Sequence, residues 1–178
     1  MTFNEANSVR DLVRDQAVLG GWEFLPGADL DREYADVLIE ADVRDALIRL
    51  NPTIAQQPDR ADEVLHRLRA IILAGRSGSI LAANEEFAAW LTGEKSMPFD
   101  TDGEHVTINL VDFENPRNDR LVVSTEVTVE RGQVKRRFDL VFWVNGMPLV
   151  VGEAKSPWLH IWANSTRAAS TTRVPRGR

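Results

Sequence analysis

The 178-residue chain contains no cysteine. That absence excludes disulfides, thiolate zinc sites and cysteine nucleophiles. Nor does it contain an apolar run approaching the ~20 residues that a membrane-spanning helix needs. Its start, MTFNEANSVRDLVRDQAV, lacks the apolar core of a signal peptide. A cytoplasmic protein with no membrane partner is the expectation. Acidic residues are missing from one region only: from Ser156 onward there are four arginines (Arg167, Arg173, Arg176, Arg178) and no acid. The formal net charge is −6, so residues 1–155 carry about −10. This balance argues against autonomous tight binding of nucleic acid, where phosphate neutralisation drives much of the affinity. A basic cluster of Arg131, Lys135, Arg136 and Arg137 lies directly before Asp139 and runs against that trend. Such charges are equally well read as solubilising.

What is present fits one soluble domain with a substantial core. Val9, Leu12, Val13 and Ala17 recur at roughly helical spacing, which predicts a helix over residues 4–19 closed by Gly20-Gly21. Trp22 to Leu25 reads as a short strand before the Pro26-Gly27 turn. A second helical pattern runs from Glu33 to Leu50 and stops at Asn51-Pro52. A third covers residues 61–74, with Asp59 or Asp62 as its cap, and a fourth covers 84–91. After Pro98 the period changes. Runs at 106–111 and 121–129, then 138–144 and 149–154, read as strands, with Arg131-Gly132-Gln133 and Asn145-Gly146 as tight turns. Helices first and a sheet after them indicate a mixed α/β (α+β) domain. Residues 158–178, rich in Ser, Thr, Ala and Arg, read as a tail without regular structure.

The residues that carry chemistry lie in the last hairpin. Asp139 interrupts an apolar neighbourhood, and Glu153 and Lys155 follow fourteen and sixteen residues later. Strand side chains alternate faces, so Glu153 and Lys155 are expected on one face of the second strand. A turn at Asn145-Gly146 folds that strand back beside the first and brings Asp139 towards Glu153. Two close carboxylates are hard oxygen ligands suited to Mg²⁺, and a lysine beside them orients or deprotonates an attacking water. Taken alone the spacing is weak, and a glutamate–lysine pair on a sheet edge produces the same pattern. Its placement between Leu140-Val141-Phe142-Trp143-Val144 and Leu149-Val150-Val151 strengthens it, because charges amid buried strands are costly unless used.

The stretch FDLVFWVNGMPLVVGEAKSP, Phe138 to Pro157, resembles the signature of the N-terminal nuclease domain of type I restriction enzyme R (HsdR) subunits, within the PD-(D/E)xK nuclease superfamily. The resemblance extends upstream through Leu47-Ile48-Arg49-Leu50-Asn51-Pro52, Ala83-Asn84-Glu85-Glu86-Phe87 and Val111-Asp112-Phe113-Glu114-Asn115-Pro116, so it covers roughly residues 3–157. It implies a restriction-endonuclease-like mixed sheet flanked by helices and Mg²⁺-dependent cleavage of double-stranded DNA. It also implies a complex with methylation and specificity subunits, in which the full R subunit translocates DNA using ATP. Asp139 and Glu153 match the family's metal-binding acids and Lys155 its catalytic lysine. Glu5 is the best match to a further glutamate on the first helix, with Glu40 a weaker one.

Two departures limit what the resemblance implies. The family follows its Glu-x-Lys strand with a helix bearing Gln and then Tyr four residues on, and neither residue type occurs after Lys155. The ATP-binding loop Gly-x-x-x-x-Gly-Lys-[Ser/Thr] is also missing, so ATP belongs to the full-length subunit rather than to this chain. The expected organisation is a truncated nuclease domain over 1–157 and a tail over 158–178. Two further functional readings follow: a catalytically inactive remnant that serves as a DNA-binding or assembly module, and a different nuclease of the same superfamily.

Overall fold

A computed structural model describes residues 5–98 and 105–154, with side chains from residue 9 onward. Helix α1 spans Glu5–Leu19. Its end is closed at Gly20-Gly21, where the Trp22 N–H reaches back to the Ala17 carbonyl at 3.1 Å. Strand β1, Glu23–Phe24, follows directly. Helix α2 covers Glu40–Leu50 and ends at Asn51, whose extended backbone hands over to Pro52, the first residue of the short helix α3, Pro52–Gln56. Helices α4, Arg60–Ser77, and α5, Ile80–Leu91, pack against each other. Beyond them β2, Ser96–Pro98, pairs antiparallel with β3, His105–Thr107.

The main sheet is built from β4, Leu121–Arg131, β5, Val134–Val144, and β6, Met147–Gly152. Its order is β1-β4-β5-β6, with β1 parallel to β4 and the other pairs antiparallel. A mixed sheet flanked by helices is therefore what the chain forms, as its pattern implied. Two cores hold it. One joins α2, α4 and α5 through Val43, Leu47, Val64, Leu68 and Trp90, with Ile108, Leu110 and Met147 beneath them. The other gathers Leu30, Ile39, Val122, Val127, Val141 and Trp143. Trp22 covers the opposite sheet face, meeting Phe142 edge-on with ring centroids 5.1 Å apart.

Several elements differ from the sequence reading. The helix expected from Glu33 begins only at Glu40, because tertiary hydrogen bonds hold the preceding residues in another shape. The Arg32 guanidinium donates to the carbonyls of Glu33, Asp36 and Thr128 and lies over the Trp143 ring, 5.4 Å from its centroid. The Ile39 N–H donates to the Gly146 carbonyl at 2.9 Å. Helix α4 has Asp59 at its N-cap with no side-chain cap bond, while Asp62 pairs with Arg44 at 3.3 Å. Helix α5 starts four residues earlier than expected, capped by Ser79, whose Oγ accepts the Ala82 N–H at 3.3 Å. The 106–111 run pairs only as far as Thr107. Beyond it, buried Asn51 bonds the Asn109 backbone through both its amide atoms, replacing a strand partner.

The last turn is as the sequence predicts. Asn145 and Gly146 both have positive φ, 49° and 78°, the signature of a two-residue hairpin turn of the primed type. Asn145 is fully buried: its Oδ1 accepts from Arg49 and from the Arg120 backbone, and its Nδ2 donates to the Leu110 carbonyl and to Asp119. At Gly146 a Cβ would stand 2.4 Å from the Ile39 carbonyl oxygen, so α2's entrance leaves no room for a side chain.

Candidate functional site

Asp139 sits midway along β5, half-buried. The β5–β6 register pairs Leu140 with Gly152 and Val141 with Val151. Carried one step further, it sets Asp139 opposite Glu153, the first residue past β6. Directly opposed residues of an antiparallel pair share a face, with Cβ atoms about 5 Å apart. The junction is closed by a hydrogen bond in which the Ala154 N–H donates to Asp139 Oδ2 at 2.9 Å. This bond orients the Asp139 carboxylate and leaves its second oxygen, Oδ1, for another partner.

The sequence expectation is thus met for the first two residues and adjusted in one detail. β6 runs from Met147 to Gly152 rather than 149–154, so Glu153 follows the strand instead of lying within it. A one-residue irregularity between Phe142 and Trp143 shifts the pairing, so that the register near the turn differs from that beside Asp139. Lys155 lies outside the described residues. Glu5 is the first residue of α1, and its side chain is likewise outside them. Glu40, the weaker candidate, opens α2 and is gripped by both nitrogens of an Arg69 fork. That hydrogen-bonded fork holds the Glu40 carboxyl below its ordinary pKa. Glu40 is engaged in joining α2 to α4, away from the hairpin.

Two facing carboxylates are a donor set of the kind Mg²⁺ takes. Among the described residues no group of three or more His, Asp, Glu or Cys converges on one point. Mg²⁺ does not require one, because it commonly takes one or two carboxylates and completes its octahedron with water and substrate phosphate. On the face of Asp139, Val141, two residues after it, is buried in the core. Val151, two residues before Glu153 and on its face by alternation, is 52% exposed. A cavity of about 900 Å³ between α4, α5 and the β2–β3 hairpin, lined by Arg67, Trp90, Met97 and His105, includes neither acid.

One neighbour was not visible in the sequence. The β4–β5 register pairs Thr125 with Leu140 and Val127 with Phe138, and between them Glu126 stands across from Asp139. Its backbone is left-handed, φ 57°, which is unusual for a residue with a side chain. Buried Gly27 presses on this kink: its N–H donates to the Thr125 carbonyl at 2.8 Å, and a Cβ there would come within 2.8 Å of the Thr125 and Glu126 oxygens. Arg10 of α1 donates to Glu126 Oε1 at 3.0 Å. Nothing in the alternation of 121–129 signals the kink.

A central mixed sheet thus sets Asp139 across from Glu153 in its last hairpin. The model of the family described as type I restriction enzyme R protein N terminus matches residues 2–172, and the chain belongs to that family. A curated relative, the type I restriction enzyme HindI endonuclease subunit of Haemophilus influenzae, is 29% identical over 163 residues. That match covers 85% of this chain and 15% of the relative's length.

Proposed function

We propose that this chain is the endonuclease domain of a type I restriction R subunit, hydrolysing phosphodiester bonds of double-stranded DNA with Mg²⁺. The observation that carries the proposal is the junction of Asp139 and Glu153, held by the Ala154 N–H on Asp139. In this reading Asp139 and Glu153 are the metal ligands, and Lys155 is the catalytic lysine. A bound Mg²⁺ supplies Lewis-acid stabilisation of charge on the phosphate and lowers the pKa of water. Asp139, whose carboxylate is oriented by the Ala154 N–H, and Glu153, from the facing position, would hold the ion. Lys155 orients the attacking water or neutralises charge on the pentavalent phosphate. Glu5 joins the same site on the family resemblance alone. Partners in this reading are duplex DNA and the methylation and specificity subunits, with ATP used by the longer subunit. The cytoplasm is the corresponding compartment, and none of the described helices is long and apolar enough to cross a membrane.

A second reading, a DNA-binding or assembly module that does not cut, is favoured by the missing Gln and Tyr after Lys155. Conversion of supercoiled plasmid to open circle, with Mg²⁺ and with Mn²⁺, separates the two. The endonuclease reading expects nicking by the wild type that disappears in Asp139→Asn and Lys155→Ala and under EDTA. Inert wild-type protein in both metals supports the module and contradicts cleavage by this chain.

A further inference from the structure

Along β5, alternation puts Lys135 and Arg137 on the face of Asp139 towards the Gly132 turn, and the buried Val141 and Trp143 on the same face towards Asn145. The strand rises about 3.4 Å per residue, which sets the Arg137 and Asp139 backbones about 7 Å apart along one edge of the candidate site. Lys135 is already engaged: its ammonium meets Glu130 at 2.9 Å and lies over the Tyr34 ring. Arg137 is not held in this way. Its side chain is 64% exposed, and its nearest acid, Glu126, stands 3.9 Å away, beyond hydrogen-bond range and already engaged by Arg10. Arg136, next in the chain and equally cationic, is exposed and falls on the opposite face.

We infer that Arg137 contacts a DNA phosphate beside the one that is cut, and so positions the strand over Asp139. The inference rests on the endonuclease reading for its substrate and adds a residue that reading does not contain. A guanidinium offers five donors in a planar fork suited to phosphate oxygens, and those of Arg137 make no hydrogen bond to another described residue. Glu126 is the counter-ion that steadies Arg137 at longer range before DNA arrives. The phosphate then replaces a weak, solvent-screened attraction with direct charge-assisted bonds.

Arg136 supplies a control matched in charge. Binding of a fluorescein-labelled duplex of arbitrary sequence to the full chain is measured by anisotropy in EDTA, over a series of NaCl concentrations. One phosphate contact contributes about 0.9 to the slope of log K against log salt. Arg137→Ala is expected to weaken binding and flatten the slope by about that amount. Arg137→Lys should keep the slope, and Arg136→Ala should resemble wild type. Equal effects of Arg137→Ala and Arg136→Ala, no effect of either, or no duplex binding by the wild type would overturn the inference. A chain that nicks plasmid but keeps its slope in Arg137→Ala overturns the inference alone. A chain with the Arg137-dependent slope that nicks nothing contradicts cleavage alone.

Discussion

At the scale of single residues, the fold depends on a few polar side chains in apolar surroundings. Asn145 is the clearest. It has no solvent exposure, takes a left-handed backbone and bonds four groups from three separate segments. Replacing it with alanine leaves the Leu110 carbonyl and the Arg120 N–H without their partners in a buried setting. Each unsatisfied buried group costs about 1–3 kcal/mol. Asn145→Ala is therefore expected to lower the urea midpoint strongly, and a midpoint within error of wild type would show that water replaces the amide. Asn145-Gly146 was readable as a turn because its chemistry is local. The role of Asn145 as a hub was not, because its partners lie 25 to 96 residues away in sequence.

Asp139 and Glu153 were legible for a similar reason. Both lie in one hairpin, so turn position and strand alternation suffice to bring them together. The Ala154 bond to Asp139 refines the arrangement without changing it. Glu126 was hidden because it reaches Asp139 through the β4–β5 register, and its left-handed kink is imposed by packing of Gly27. A side chain at Gly27 would collide with backbone on three sides. Gly27→Ala should destabilise the chain, and any displacement of β4 should appear as altered amide exchange at Thr125–Val127. Unchanged exchange and stability would mean that the kink does not depend on Gly27.

At the scale of elements, helices were placed well where an apolar stripe faces the core and poorly where tertiary bonds override local preference. Residues 33–39 show the second case, since Arg32 and the Gly146 carbonyl hold them and Leu38 and Ile39 are buried outside any helix. Helix α2 is then tied down at its start. Glu40 is held by Arg69 of α4, and Asp42 is ion-paired with Arg120, which also reaches Glu23 of β1 at 3.0 Å. The Glu40 carboxyl lies below its ordinary pKa because of the Arg69 hydrogen bonds. A depressed folded-state value gives stability that is complete above the unfolded glutamate pKa of about 4.3 and lost as pH falls through the lower folded value. Both groups are largely solvent-facing, so the effect is modest. Glu40→Gln should reduce stability at pH 7 slightly and show a smaller difference from wild type near pH 3. A difference that grows on acidification would contradict the assignment.

At the scale of the whole molecule, the fold is a four-stranded mixed sheet whose β5–β6 hairpin sets Asp139 across from Glu153. The chain is acidic overall, net charge −6, while the β5 row beside Asp139 is basic. A net acidic chain is expected to bind duplex DNA weakly, because phosphate neutralisation drives much of such binding. Duplex binding by the isolated chain should therefore be weak and should fall steeply between 50 and ~200 mM salt in proportion to its few phosphate contacts. Salt-insensitive binding would place the affinity outside phosphate contacts and away from the β5 row.

If Asp139 and Glu153 form a divalent-metal site, calorimetric titration of Mn²⁺ into the wild-type chain and into Asp139→Ala will separate the two proteins. Weak binding by wild type that is lost in Asp139→Ala is the predicted result. Equal affinity in the two proteins would contradict it.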